Sequence, residues 1–187
     1  MTTNIQKTSR LLSQVLRHAP EAIGITLDAE GWVAVDDLLE RLAANGHPLS
    51  RADLEHIVRT SDKKRFTLSQ DGARLRAAQG HSVPVDLGLE PREPPAILFH
   101  GTAASHLAQI RADGLLPQRR LQVHLSADRD TAIRVGRRHG KPVVLILDAA
   151  AMVADGFRFY QAENGVWLTD HVPAGYLRQD DDPNPEP

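Results

Sequence analysis

The spacing of apolar residues over the first 80 positions predicts helices followed by a hairpin. In residues 4–18, apolar side chains recur at the interval that lines one face of a helix. Pro20 is expected to end this helix, because proline disfavours helical backbone at the residue before it. Two short alternating segments flank Asp71–Gly72, a pair typical of a tight turn between antiparallel strands. The order of these elements indicates a winged-helix-like lobe.

Two further helices are expected between the first helix and the hairpin. Asp36 is placed to cap the first of them, and Asn45–Gly46 to close it. Ser50 and Asp53 form an acidic variant of the capping box at the start of the second. The N-terminal lobe is therefore expected to contain three helices.

A change of pattern marks the second half of the chain. Residues 83–95 contain Pro84, Pro91, Pro94 and Pro95 with little periodicity, and are expected to form a linker. Short β segments then alternate with helices. Strands are expected at 96–102, 123–126 and 142–149, helices at 104–114 and 129–140, and a hairpin over 157–170 that turns at Asn164–Gly165.

These patterns predict an α+β protein of two lobes. The winged-helix-like lobe is assigned to residues 1–82, the linker to 83–95 and a second α+β lobe to 96–178. Residues 179–187 are expected to form a disordered acidic tail, since they are rich in aspartate and proline and lack apolar side chains.

Composition narrows the possible functions. The formal net charge is −2, so a broad basic surface for nucleic acid is not expected. The chain has no cysteine, which excludes disulfides and thiolate metal sites, and its nine histidines form no HxxxH or HExxH pair, so we expect no metal site. Because there is no apolar run of membrane length and no secretory leader pattern, we expect a cytoplasmic protein.

Three cationic side chains in the first lobe are candidates for binding an anion. Arg17 and His18 stand at the predicted end of the first helix, where cations also simply complement the helix dipole. Arg65 stands at the start of the hairpin, where the alternative interpretation is a basic surface residue without a binding role. The residues alone leave both readings open.

The second lobe carries two more candidate segments. In Phe99–Thr102, a glycine lies between a histidine and a hydroxyl at the end of a strand, where it could hold a ribose or an amide. A plain turn with Thr102 as a helix cap is the alternative. Arg119–Arg120 precede a strand on which His124 and Ser126 point to the same face.

Eight segments in this order resemble the NAD-dependent RNA (tRNA) 2′-phosphotransferases, and the match runs from about residue 7 to residue 177. They are LSQVLRHAP, LDAEGWVAVDDLL, KKRFTL, GHSVPV, FHGT, RRLQVHLS, VGRRHGKPVVL and ENGVWLT. The resemblance implies a winged-helix-like RNA lobe joined to an ADP-ribosyltransferase-like lobe that binds NAD.

The resemblance also implies a reaction in two steps without a metal. The internal 2′-phosphate of an RNA attacks the nicotinamide ribose of NAD, which releases nicotinamide and leaves an RNA-2′-phospho-ADP-ribose intermediate. The ribose 2″-hydroxyl then attacks the phosphorus, giving 2′-OH RNA and ADP-ribose 1″,2″-cyclic phosphate. We expect a monomer with this RNA and NAD as its ligands.

Matching motif by motif carries the family's site residues onto this chain. The phosphate-binding, catalytic set becomes Arg17, His18, Arg65 and Arg120. The NAD-binding set becomes His100, Gly101 and Thr102, with His124 and Ser126 as a second wall. His18 either donates to a phosphate oxygen or assists proton transfer from the 2″-hydroxyl, and the sequence does not choose between these roles.

Two positions depart from the family pattern, and two alternative functions stay open. Gln122 replaces the usual histidine and Phe99 the usual tyrosine, and we expect Phe99 to serve the core. An ADP-ribosyltransferase acting on phosphorylated nucleic-acid ends is the main alternative, although protein-modifying enzymes of that type use a glutamate where this chain has Val166, with Glu163 as the nearest acid. An RNA-binding module that senses NAD without turnover is the other.

Overall fold

The computed structural model describes residues 5–61, 64–138 and 140–180. Contacts divide the chain into two compact units, one comprising Met1–Leu89 with Arg119–Leu121 and the other Glu90–Gln118 with Gln122–Pro187. The boundary near residue 90 falls inside the segment expected to be a linker. The prediction of an α+β protein is confirmed, since both units combine helices with small antiparallel sheets.

Among its described residues, the first unit contains three α-helices and a three-stranded antiparallel sheet in the order β1-β3-β2. The helices are α1 (Ile5–Arg17), α2 (Val35–Ala44) and α3 (Arg51–Thr60), with a 3₁₀ turn at Pro20–Ile23. The strands are β1 (Val33–Ala34), β2 (Phe66–Leu68) and β3 (Arg74–Ala77).

The expected face of α1 is buried, and the hairpin is confirmed. Leu12, Val15 and Leu16 are at most 1% exposed and join the core of this unit. Strands β2 and β3 pair in antiparallel register, and Gly72 has a φ of 69°, which a glycine adopts without strain at the turn.

The N-cap of α3 at Ser50 is confirmed, although the reciprocal bond of a capping box is replaced by one from Ser50 Oγ to Asp53 Oδ2 at 2.7 Å. The predicted cap of α2 at Asp36 is wrong. The backbone N–H of Asp53 donates to Ser50 Oγ at 3.1 Å. Helix α2 begins at Val35 with Ala34 as its N-cap residue, and no side chain caps it. Strand pairing determines this start, because the Val35 N–H donates to the carbonyl of Ala73 at 2.9 Å.

Over the part of the chain that the structure describes, the second unit contains two three-stranded antiparallel sheets, ordered β4-β6-β9 and β5-β8-β7. Its strands are β4 (Ile97–Ala103), β5 (Val123–Leu125), β6 (Pro142–Asp148), β7 (Tyr160–Gln161), β8 (Trp167–Thr169) and β9 (Leu177–Gln179). Its helices are α4 (Leu107–Asp113), α5 (Arg129–Gly136) and α6 (Ala149–Ala154), with 3₁₀ turns at Ala104–His106 and Ala174–Tyr176. The two sheets join where Phe99 and Ser126 exchange backbone hydrogen bonds of 2.7 and 2.8 Å.

The strands and the second hairpin of this unit are confirmed, and several details differ from expectation. The sequence pattern missed α6 and β9. Helix α5 ends at Gly136 rather than at Gly140, and His139 lies outside the described residues. The strand β4 continues to Ala103, so Thr102 is not a helix cap.

The predicted start of the acidic tail, residue 179, lies too early in the sequence. Gln179 ends β9, and the carboxylate of Asp180 accepts a charge-assisted hydrogen bond from Arg129, so both residues belong to the second unit. The rest of that tail, residues 181–187, lies outside the described residues. The winged-helix-like and ADP-ribosyltransferase-like assignments of the two lobes stay predictions. No described helix is both long enough and apolar enough to cross a membrane.

Candidate functional site

Arg17 is the last residue of α1 and is half-buried. Its Nη2 donates to the backbone carbonyl of Arg65 at 3.3 Å, which ties the end of the helix to the segment before β2. Burial, with the charges of Arg120 and Arg65, lowers the pKa of Arg17 to about 10. The guanidinium therefore stays protonated at neutral pH, and two other guanidinium groups lie close enough to destabilise its charge.

Arg65 is also held by α1. Its Nη1 donates to Ser9 Oγ at 3.1 Å, and Ser9 is only 4% exposed on the buried side of the helix. Because Ser9 and Arg17 are eight residues apart on one helix, α1 positions both arginines. Among the described residues, neither Arg17 nor Arg65 has a carboxylate within 4.0 Å to neutralise it.

His18 directly follows the helix and is exposed. Its Nδ1 lies 2.9 Å from Ser82 Oγ. Partial burial, together with the charges of Arg17 and Arg120, lowers the pKa of His18 below its ordinary value. The ring is therefore uncharged at neutral pH in the absence of an anion.

Arg120 comes from a distant part of the sequence but belongs to the first unit. The segment Arg119–Leu121 is part of that unit, and the N–H of Leu121 donates to the carbonyl of His81 at 3.2 Å. Arg120 is exposed, and its charge acts on both Arg17 and His18. The structure thus brings the four residues of the predicted phosphate-binding set together within one unit.

The segment His81–Val83 supports this cluster, and sequence reasoning assigned it no role. The N–H groups of Ser82 and Val83 donate to the carbonyl of Arg17 at 2.9 and 3.3 Å, which satisfies the end of α1. His81 is 2% exposed, and its Nε2 has no hydrogen-bond partner among the described residues. The sequence signal for this segment is the GHSVPV motif, which contributes to the family resemblance but was assigned no chemical role.

His81 is surrounded by positive charge. Burial first, then the charges of Arg17, His18 and Arg76, lower the pKa of His81 to about 4. A buried imidazole beside several cations is therefore neutral over the physiological range. Its backbone carbonyl accepts the hydrogen bond from Leu121 that holds the Arg119–Leu121 segment, and its ring lies near Gly31 and Val85.

Gly101 in the second unit has a packing reason to be glycine. A Cβ added there would overlap the backbone carbonyl of Ala132 on α5. Gly136 of the same helix makes the reciprocal contact, since its Cβ would lie 2.7 Å from the carbonyl oxygen of Thr102. The two glycines let α5 approach β4 closely, which the sequence did not reveal.

The polar side chains of β4 lie on the opposite face from α5. His100 donates its Nδ1–H to the carbonyl of His124 at 3.1 Å. Thr102 is 5% exposed, with its Oγ1 3.4 Å from Nδ1 of His106. Phe99, on the α5 face, is partly buried and packs against the cluster of Ala132, Ile133 and Val144, in agreement with the expectation that it serves the core.

The alternation predicted for the strand β5 is confirmed. Val123 and Leu125 are buried, while His124 lies on the other face and is half-buried. Ser126 accepts the N–H of Asp128 at 3.0 Å and donates to its carbonyl at 2.9 Å. Gln122, which departs from the family pattern, donates from its Nε2 to Asp170 at 3.2 Å.

All five residues of the predicted NAD-binding set lie in the second unit, on β4 and on or beside β5. Within residues 5–61, 64–138 and 140–180, no three histidine, aspartate or glutamate side chains group in a way that could hold a metal ion. The candidate chemistry therefore consists of arginine, imidazole, hydroxyl and backbone groups.

A model of the family described as "RNA 2′-phosphotransferase, Tpt1 / KptA family" matches residues 3–171. The chain is 65% identical over 170 residues to a protein of Agrobacterium fabrum, and the aligned region covers 91% of each chain. It is 54% identical over 177 residues to a protein of Acaryochloris marina, covering 95% of this chain and 98% of that protein. A protein of Streptomyces coelicolor is 55% identical over 172 residues, covering 92% and 93%.

Each of these three relatives bears the name "Probable RNA 2′-phosphotransferase". The family match extends over most of the chain and includes the segments that carry the arginine cluster and the β4–β5 residues. The chain belongs to the RNA 2′-phosphotransferase family.

Proposed function

We propose that this protein transfers the internal 2′-phosphate of an RNA to NAD, giving 2′-OH RNA, nicotinamide and ADP-ribose 1″,2″-cyclic phosphate. The observation that carries the proposal is the cationic cluster of the first unit. Burial and then repulsion from Arg17 and Arg120 lower the pKa of His18, and burial and then repulsion from Arg120 and Arg65 lower the pKa of Arg17. A bound dianion would relieve this repulsion.

The cluster suits a phosphomonoester better than the ordinary RNA backbone. A 2′-phosphomonoester carries nearly two negative charges at pH 7, whereas a backbone diester carries one. Arginine offers a planar fork of donors that pairs with two phosphate oxygens at once, and each charge-assisted hydrogen bond contributes about 1.5–3 kcal/mol. A few placed arginines therefore select the extra phosphate on a protein whose net charge is −2.

The second unit offers groups that fit NAD. The imidazoles of His100 and His124 and the hydroxyl of Ser126 are half-buried, and such groups hydrogen-bond ribose hydroxyls. The backbone N–H and C=O of Phe99 point away from β6 and bond to Ser126. Because backbone groups two residues apart on a strand point the same way, the N–H and C=O of Gly101 lie on that same edge of β4. These backbone groups are complementary to a carboxamide.

Each set of residues has a defined task in this proposal. NAD supplies an anomeric carbon that accepts the phosphate and nicotinamide as the leaving group. Arg17, Arg65 and Arg120 orient the phosphate and stabilise the negative charge that develops on its oxygens during transfer. The residues of β4 and β5 hold the ribose and the amide in place.

The test is an end-point assay on a short RNA with one labelled internal 2′-phosphate, with and without NAD. We expect the label to move to ADP-ribose cyclic phosphate only when NAD is present. The control is the same RNA with its label on a terminal phosphate, which should stay unchanged. If ADP-ribose instead accumulates on the terminal phosphate, the protein is an end-modifying ADP-ribosyltransferase and the proposal is wrong.

A substitution in β4 tests the assignment of NAD to the second unit. Thr102→Val preserves the shape of this buried side chain and removes the hydroxyl that faces His106. We expect the KM for NAD to rise while the affinity for 2′-phosphorylated RNA stays at the wild-type value. An unaltered dependence of the rate on NAD would contradict the assignment of Thr102.

A further inference from the structure

The hydroxyl of Ser82 lies between the ring of His18 and the end of α1. Its Oγ is 2.9 Å from Nδ1 of His18 and 3.4 Å from the carbonyl oxygen of Arg17. The same carbonyl oxygen accepts backbone N–H groups from Ser82 and Val83 at 2.9 and 3.3 Å. The single proton of the hydroxyl therefore has two possible acceptors.

The geometry favours the imidazole as the acceptor. A carbonyl oxygen has two lone pairs, and two backbone N–H groups already use those of Arg17. The contact of the hydroxyl with that oxygen is also at the long limit for a hydrogen bond, whereas its contact with Nδ1 is at an ordinary length. The hydroxyl thus donates to Nδ1, which must then carry no proton.

The ring of His18 is uncharged, so it holds one proton. Partial burial and the neighbouring Arg17 and Arg120 lower its pKa, as described above. With Nδ1 occupied as an acceptor, that proton resides on Nε2. An Nε2–H group donates to an oxygen, whereas the other tautomer would present a lone pair that repels phosphate oxygens.

We propose that Ser82 is a positioning residue that holds His18 as its Nε2–H tautomer, so that His18 donates a hydrogen bond to the 2′-phosphate and does not act as a base. The identity of this ligand rests on the proposed function. Of the two roles that the sequence left open for His18, the contact with Ser82 selects the donor.

The first test needs no RNA. Nitrogen-15 spectra of the full chain, with His18 assigned by comparison with His18→Gln, report which ring nitrogen is protonated. At pH 7.5 we expect a protonated Nε2 and an unprotonated, hydrogen-bonded Nδ1. Ser82→Ala should move the Nδ1 signal to the position of a nitrogen without a bond, and Ser82→Thr should restore it. A protonated Nδ1 in the wild-type protein would overturn the proposal.

Ser82→Ala is a clean variant because alanine keeps the backbone N–H that satisfies Arg17. Ser61→Ala, which removes a serine hydroxyl elsewhere in the first unit, is the matched control and should leave the His18 signals unchanged. A shift of the same size in Ser61→Ala would show that the spectra report a general change of the fold, and would overturn the assignment of Ser82.

The second test measures how much more tightly the protein binds a 2′-phosphorylated oligonucleotide than the same oligonucleotide without that phosphate, in the absence of NAD. We expect Ser82→Ala to reduce this preference by about five- to tenfold, which is typical of one lost hydrogen bond. In a His18→Ala background the same change should have no further effect, because Ser82 acts through His18.

The double-variant result separates the two proposals. A further loss of preference on adding Ser82→Ala to His18→Ala would overturn the positioning role, since Ser82 would then act on the RNA without His18. A wild-type protein that shows no preference for the 2′-phosphate would contradict the proposed function, and the nitrogen-15 spectra then decide the role of Ser82 by themselves.

Discussion

Arg17 is a cation that the fold keeps partly out of water next to two other arginines. Burial first, and then repulsion from Arg120 and Arg65, lowers the pKa of Arg17, and the bond from its Nη2 to the Arg65 carbonyl offsets part of that cost. Under the proposed function, a bound phosphate neutralises this cluster. We therefore expect each arginine of the cluster to contribute individually to activity, whereas a neighbouring arginine outside the cluster should contribute little.

Arg119 and Arg120 are adjacent and both exposed, so they form a matched pair. Of the two, only Arg120 has a charge that lowers the pKa of Arg17 and of His18. We expect Arg120→Ala to lower kcat for phosphate transfer by about 100-fold, as expected for the loss of a charged transition-state contact of about 3 kcal/mol, with Arg119→Ala close to wild type. Equal losses in the two variants, measured by transfer of the labelled 2′-phosphate to ADP-ribose cyclic phosphate, would contradict the assignment of Arg120.

His81 makes the stability of the first unit depend on pH. Because its pKa is about 4 in the folded state and about 6.5 in the unfolded chain, the unfolded chain binds a proton first as the pH falls. The stabilisation is complete above pH 6.5 and is lost as the pH falls towards 4, by about 3 kcal/mol in total.

His81→Asn should flatten this dependence between pH 6.5 and 4.5. The measurement is urea unfolding in a Trp167→Phe background, which leaves Trp32 in the first unit as the single tryptophan. His56→Asn, at an exposed position on α3, is the control and should retain the wild-type slope. A slope that survives in His81→Asn would show that another group titrates.

At the scale of elements, the contact between β4 and α5 depends on two residues without side chains. Gly101 and Gly136 each face the backbone of the other element at a distance that leaves no room for a methyl group. This close approach packs one face of β4 against α5 and leaves His100 and Thr102 on the opposite face. A methyl group here must therefore displace an element rather than a side chain.

Gly101→Ala should destabilise the second unit by about 2–3 kcal/mol, since the added carbon meets backbone that cannot rotate away. Gly175→Ala is the matched control, because nothing lies within 4 Å of the added Cβ and its stability should change by less than about 0.5 kcal/mol. Urea unfolding followed through Trp167 measures both. Similar stabilities for the two variants would contradict the packing described here.

At the scale of the whole molecule, the net charge of −2 means that a general attraction to RNA is weak. Under the proposed function, affinity for the 2′-phosphorylated RNA must then come from the few cations of the cluster. The number of phosphate charges that they neutralise determines how steeply binding weakens with salt.

For a 2′-phosphorylated single strand, we expect the logarithm of the affinity to fall with the logarithm of salt concentration with a slope of about −2, as contacts from three arginines imply. The same strand without the 2′-phosphate should bind more weakly at every salt concentration. Fluorescence anisotropy titrations at several salt concentrations measure both. A slope steeper than about −6 would show that the RNA contacts a basic surface well beyond the cluster.

Predictions from sequence succeeded where the determining interactions are local. The N-cap of α3 at Ser50 and the turns at Gly72 and Gly165 each depend on residues within a few positions of one another. The cap at Asp36 failed because a strand pairing from the third strand sets the start of α2. The family's motifs then supplied the candidate site residues, which local patterns alone had left with two readings each.

The sequence by itself determined most of the helices, both hairpins, the absence of cysteine chemistry and, through motifs spread over most of the chain, the family. Only the tertiary structure decided that Arg120 belongs with Arg17 and His18 in one unit, that Gly101 is required by α5, and that Ser82 faces the ring of His18. These three facts depend on residues 31 to 103 positions apart, which a hydrophobic pattern read along the chain does not relate. They arise from packing and hydrogen bonding, which bring distant segments to within a few ångströms.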